Sequence, residues 1–159
     1  MPNVTSVYTN SNYTPISRTA NLSFINFNAL LSIPYNFATN KTKLVTAYFN
    51  GATTIAKSAF LGCTALKSVY LNATTTLAED TFKNCTALTL NSCNFGAALS
   101  LIGTTAFEGC TGITSITNAH FPYNSNVATF TVGTQAFLSC TGLTAINNST
   151  ITNLSTNAF

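Results

Sequence analysis

Apolar and small residues recur in a fixed order through most of the chain. Aligned on Cys-Thr, four segments share one pattern: IAKSAFLGCTALKSV from Ile55, LAEDTFKNCTALTLN from Leu77, IGTTAFEGCTGITSI from Ile102 and VGTQAFLSCTGLTAI from Val132. Each reads aliphatic, Ala/Gly, two variable positions, Ala/Thr, Phe, two variable positions, Cys, Thr, Ala/Gly, Leu/Ile. A further copy opens at Leu154 and stops at Phe159, and a degenerate one starts at Phe37, followed by Leu44 and Phe49. Units of this length cannot bury an apolar face alone, so they stack and share one continuous core.

Within a unit, the apolar offsets through Phe-x-x-Cys predict a short helical or 3-10 turn. The following Leu66-x-x-Val69-x-Leu71 ends in alternation, which predicts a short strand. Ile113/Ile116 and Leu143/Ile146 repeat that strand pattern. The expected fold is therefore an α/β repeat solenoid, with short parallel strands on one face and short helical or 3-10 turns on the other. Phe60, Phe82, Phe107 and Phe137 are expected to form a buried spine. Residues 37–159 make up about five units, the last incomplete at Phe159. Residues 1–36 fall outside the pattern and are expected to be an N-terminal arm and cap, apolar at Leu22–Tyr35. Asn50-Gly51 is a tight-turn signal.

Cys63, Cys85, Cys110 and Cys140 occupy one repeat position, three residues after each Phe. That spacing predicts a buried file of small apolar thiols rather than a disulfide framework. Cys93 lies off the file and is the thiol expected to be exposed. Zinc requires clustered Cys pairs, which the spacing does not provide, and no cofactor motif is present.

Composition narrows the function classes. Charged residues are 6% of the chain, against about 25% in ordinary globular proteins. The surface must then be made of hydroxyls and amides, and the fixed Phe, Leu/Ile and Cys positions are expected to carry the fold without ionic help. General acid–base chemistry has only His120, Glu79, Asp80 and Glu108 to draw on, so no enzyme activity is expected. A net charge of +3 with scattered lysines lacks the cationic stripe of a nucleic-acid binder. No apolar run approaches the roughly 18 residues of a membrane span, and the N-terminus carries no signal-peptide pattern.

The repeat resembles the BspA-type leucine-rich repeat, I-G-x-x-A-F-x-x-C-x-x-L-x-x-I-x-I-P, most closely at Ile102–Ile116 and Val132–Ile146. The resemblance implies a curved leucine-rich-repeat-like solenoid with a concave sheet. It also implies a non-catalytic role of the kind found in surface proteins, often in adhesion. The unit after Phe82 departs from the pattern: LTLNSC places Asn91 where Val69 and Ile116 sit, and leaves its strand register open.

Two recognition surfaces suggest themselves for a protein or glycan ligand. One is the concave face, where Tyr48 and Tyr70 lie one repeat apart. The other is the insertion Thr117–Phe130, which holds His120, Phe121 and Tyr123. There the alternative is that Phe121 and Phe130 pack the loop onto the solenoid and His120 is a bystander. The function expected is recognition or adhesion outside the cell, on its surface or on a virion. The alternative is a self-assembling structural subunit, a homo-oligomer or filament joined through the open end at Phe159.

Overall fold

The computed structural model describes Ile16, residues 21–121 and residues 129–159. Among these residues the chain winds through eleven short strands. They are β1 (Phe24–Asn26), β2 (Ser32–Ile33), β3 (Thr46–Tyr48), β4 (Thr54–Ile55), β5 (Ser68–Tyr70), β6 (Thr76–Leu77), β7 (Leu101–Ile102), β8 (Ser115–Thr117), β9 (Thr131–Val132), β10 (Ala145–Asn147) and β11 (Asn153–Leu154). All pairing is parallel between successive turns of the chain, with Ala47 opposite Val69 and Ile55 opposite Leu77. This is a β-solenoid of about six turns.

Two sheets wrap one core. The two-residue strands form an unbroken six-stranded sheet, β2-β4-β6-β7-β9-β11. The three-residue strands form a second sheet that is interrupted: β1-β3-β5 pair, β8-β10 pair, and nothing regular joins them. The interruption falls at the LTLNSC departure, where Leu90–Ser92 makes a 3-10 turn. Pairing resumes only at Asn94, which bridges Tyr70. Two residues are thus looped out, and Phe95 arrives where Leu71 sits in the preceding turn. The sheets begin at Phe24, inside the stretch set aside as arm and cap.

The helical face expected over Phe-x-x-Cys is not there. Among the described residues there is no α-helix, and the one 3-10 turn lies in the strand sheet. The Phe-Cys segments are successive tight turns, for a reason visible in their hydrogen bonds. The N–H groups of Ser58, Phe60 and Gly62 donate to the carbonyls of Glu79, Thr81 and Lys83 in the next turn, at 3.0, 2.9 and 2.8 Å. Asp80, Phe82 and Asn84 do the same to Thr104, Ala106 and Glu108. Donors that point along the solenoid axis are not available for a helical i→i−4 ladder. The geometry is set by left-handed residues two before and two after each Phe, such as Ser58 (φ 59°) and Gly62 (φ 70°). At Gly62 a side chain is excluded twice over, since an added Cβ would also lie 2.2 Å from Asn40 Oδ1.

The phenylalanine spine is stacked throughout and buried as far as Phe137. Neighbouring rings from Phe60 through Phe82, Phe107 and Phe137 to Phe159 lie 5.1–5.4 Å apart and within 16° of parallel. Phe37 enters differently. Its neighbour Ala38, not Phe37, takes the backbone position of Phe60, donating to Ala59 O at 2.7 Å. The Phe37 ring therefore comes from one residue earlier and meets Phe60 edge-on, at 65°. A second file, Phe27, Phe49, Leu71, Phe95 and Phe121, lines the other side of the core; its aromatic members contact one another on either side of Leu71. Fully burying one such side chain contributes about 1.5–3 kcal/mol from area, so the two files dominate the core.

Candidate functional site

The outward side of β1, β3 and β5 carries an aromatic stripe. Alternation along a strand turns Ala47 and Val69 into the core and Tyr48 and Tyr70 away from it. Parallel pairing then sets Tyr48 directly beside Tyr70, with ring centroids 4.3 Å apart and planes 2° from parallel. Phe24, itself 47% exposed, leans on Tyr48 at 5.6 Å and 48°. The Tyr48 hydroxyl alongside pushes the Tyr70 phenol above its ordinary pKa. Beside the rings, Thr46 and Ser68 share a hydroxyl hydrogen bond of 3.0 Å. No ring continues the file beyond Tyr70: the next position is Asn94, an exposed residue whose Oδ1 accepts the Gly96 N–H at 2.9 Å.

The insertion residues lie elsewhere. Phe121 is 1% exposed and Phe130 5%, packed against each other at 5.5 Å. His120 is buried too, at 7%. Its Nδ1 accepts the Thr117 N–H at 3.1 Å, so its proton sits on Nε2, which donates to Asn91 Oδ1 at 2.7 Å. His120 thus spans the gap where the strand sheet is interrupted. Burial lowers its pKa below 6.5. Tyr123 lies outside the described residues.

The cysteine file has a hydrogen-bonded geometry of its own. Each thiol donates to a carbonyl of the preceding turn: Cys63 to Ala38, Cys85 to Phe60, Cys110 to Phe82 and Cys140 to Phe107, at 3.0–3.2 Å. Burial pushes the Cys63 thiol up to about 12 and the Cys140 thiol up to about 11. Cys93 is partly buried rather than open. It donates to Thr89 O at 3.4 Å, and burial pushes it up to about 12. Both His120 nitrogens are engaged by Thr117 and Asn91, so the ring is not placed as the base of an activated thiol.

The acidic residues are nevertheless paired rather than scattered. All three acidic residues join one ladder along the turn side. Lys57 reaches Glu79 at 2.7 Å and Asp80 at 3.8 Å; Lys83 reaches Asp80 at 3.8 Å and Glu108 at 2.8 Å. The Thr105 hydroxyl adds a 2.6 Å bond to Asp80. Glu79 raises the Lys57 pKa and Glu108 that of Lys83. Apart from Lys83 and Asp80, the partners sit one turn apart in the stack, which sequence adjacency conceals.

At the last turn, Phe137, Cys140, Leu143, Ile146 and Phe159 line a groove on the side where every earlier turn receives the next. Among the described residues no group of His, Cys, Asp or Glu is placed to hold a metal ion. No helix of the described chain is long and apolar enough to cross a membrane.

Of the residues in the stripe, reading the sequence missed Phe24. Its signal was position: Phe24 stands 22 residues before Thr46, the offset that also separates Tyr48 from Tyr70. Asn91 was noticed only as an irregularity, not as the partner of His120.

Solved structures share this architecture. A leucine-rich repeat protein from Bacteroides ovatus is 27% identical, with a TM-score of 0.70 over 86% of this chain and 33% of its own. A leucine rich cell surface protein from Faecalibacterium prausnitzii is 22% identical, with a TM-score of 0.59 over 73% of this chain and 30% of its own. The leucine-rich repeat protein of T. pallidum, 15% identical, matches with a TM-score of 0.64 over 84% of this chain and 73% of its own. The chain thus spans about a third of the first two proteins. No curated protein sequence matches it. The family model for the BspA type leucine rich repeat region matches six copies over residues 3–114 and 32–159. With a Phe spine, a Cys file and parallel strands repeated turn by turn, this chain belongs to the BspA-type leucine-rich repeat family.

Proposed function

We propose that the chain is a non-catalytic recognition module, acting outside the cell or on its surface, that holds its ligand on the outward side of β1, β3 and β5. The observation that carries this reading is the outward-facing aromatic stripe of exposed Phe24 and half-buried Tyr48 and Tyr70. Tyr35 and Phe159 are exposed too, but each stands apart from this face, whereas Phe24, Tyr48 and Tyr70 stand in a row beside hydroxyls and amides. Tyr beside Ser, Thr and Asn gives rigid contact area with adaptable hydrogen bonding. The reactive side chains are otherwise occupied: the thiols are protonated, both His120 nitrogens are bonded and the acids are paired with lysines. A surface location is supported by the name of the Faecalibacterium prausnitzii neighbour.

The test is attachment of the labelled chain to intact epithelial and bacterial cells, followed by flow cytometry. Saturable attachment that falls at least tenfold in a Tyr48→Ala, Tyr70→Ala variant supports the reading. No attachment to any cell type, or attachment indifferent to that variant, overturns it.

A further inference from the structure

Resting on that reading, we infer that the ligand of the stripe is a neutral glycan, with a sugar ring seated against the open side of Tyr70 and the step formed by Asn94. Three features of the surface carry the inference.

The first is size. Strands about 4.8 Å apart and three residues of about 3.3 Å long make the β1-β3-β5 face roughly 10 Å in each direction. That is on the order of 100 Å², against the ~800 Å² each partner contributes to a standard protein interface. The sheet does not extend beyond Tyr70, because the Leu90–Ser92 turn interrupts it. The area suits one or two sugar rings.

The second is charge. The outward residues Phe24, Asn26, Thr46, Tyr48, Ser68, Tyr70 and Asn94 include neither a carboxylate nor an ammonium group. The three acids stand elsewhere, in the ladder with Lys57 and Lys83. Lys67 lies just before β5 and is the nearest cation in sequence. An anionic polymer would therefore depend on Lys67, and a neutral one would not.

The third is the chemistry of the step. Tyr48 stacks one face of Tyr70, and the file then drops from a ring to an amide. An aromatic face next to an amide that still has its NH₂ to donate, with Thr46 and Ser68 hydroxyls nearby, matches a pyranose. Such a ring has an apolar C–H side and a rim of hydroxyls that both donate and accept.

The chain has no Trp, so tyrosine emission can report binding. We would titrate mannohexaose, maltohexaose and cellohexaose, with heparin as the anionic control. Saturable quenching by at least one neutral hexasaccharide is expected. It should weaken tenfold or more in Tyr70→Thr, a variant that keeps a strand-forming residue, and stay within twofold in Lys67→Gln. Circular dichroism and melting of Tyr70→Thr check that it folds. Three results overturn the inference: no saturable signal from any neutral hexasaccharide, affinity unchanged in folded Tyr70→Thr, or binding of heparin alone that Lys67→Gln removes. Periodate treatment of the target cells separates the two levels. Attachment that needs Tyr70 yet survives periodate overturns the glycan and keeps recognition, with a protein as the occupant; attachment that needs Tyr70 and is lost with periodate supports both.

Discussion

His120 donates from Nε2 to Asn91 Oδ1 at 2.7 Å, tying the fifth turn of the solenoid to the fourth where their strands do not pair. The tie requires a neutral ring, because Nδ1 is already the acceptor for the Thr117 N–H. Burial lowers the pKa of this ring in the folded chain, whereas an unfolded His titrates near 6.5. The unfolded state therefore binds more protons in the interval between the two values, and stability falls as pH falls. The contribution is complete above about pH 6.5, declines as pH drops through the folded value, and is constant below it. We expect the melting temperature to fall between pH 7.5 and pH 5. The fall should be smaller in His120→Gln, with calorimetry of the two proteins side by side as the check.

Phe107 lies between Phe82 and Phe137, stacked on both. Its replacement by Ala should cost about 3–5 kcal/mol. Phe159→Ala should cost less than half as much, since that ring is 39% exposed and stacks on Phe137 alone among the described rings. Urea unfolding of the two variants measures the difference. Equal losses would mean that the stack is not what stabilises the spine.

The cysteine file makes a prediction about reactivity. A thiol held near 12, as Cys63 and Cys93 are, is thiolate to roughly one part in 10,000 at pH 8, against about a quarter for an ordinary thiol. Native protein should thus take up iodoacetamide far more slowly than unfolded protein. Cys93, only partly buried, and Cys140, held lower at about 11, should react before the other thiols. Peptide mapping after timed labelling checks the order, and early modification of Cys85 or Cys110 would contradict it.

Gly109 has φ +71°, and a Cβ there would stand 2.4 Å from Asn84 Oδ1. Gly109→Ala should lose about 1–2 kcal/mol to the left-handed backbone alone, and more to the clash. Because Asn84 is itself left-handed (φ 61°), Asn84→Gly alone is the reference, and against it the Gly109→Ala loss should shrink only by the clash. A double-mutant cycle by urea unfolding separates the two effects; full recovery would show that backbone strain plays no part.

Much of the fold could be read from the chain. Phe60, Phe82, Phe107 and Phe137 recur because each turn must fill the same slot over its neighbour, and a slot repeated in space repeats in sequence. The strands ending Val69 and Ile116 were legible for the same reason. The two-residue strands of the six-stranded sheet were not, since Thr54–Ile55 is too short to show any alternation. Nor could Phe-x-x-Cys distinguish a helical turn from successive tight turns. Offsets of three and five suit both, and the choice rests on N–H groups that reach carbonyls of the next turn.

The candidate site divides along the same line. Tyr48 and Tyr70 were visible as a pair one repeat apart, because parallel pairing carries the repeat length into space. The insertion at His120 and Phe121 carried no such constraint. Only the gap opened by Leu90–Ser92 drew Phe121 into the core and His120 onto Asn91. By itself, then, the sequence determined which residues each turn buries, since that depends on contacts repeated at one spacing. Tertiary structure decided where the irregular segments go, how the turns are hydrogen-bonded, and which lysine meets which acid. Those outcomes depend on neighbours a full turn away in the chain.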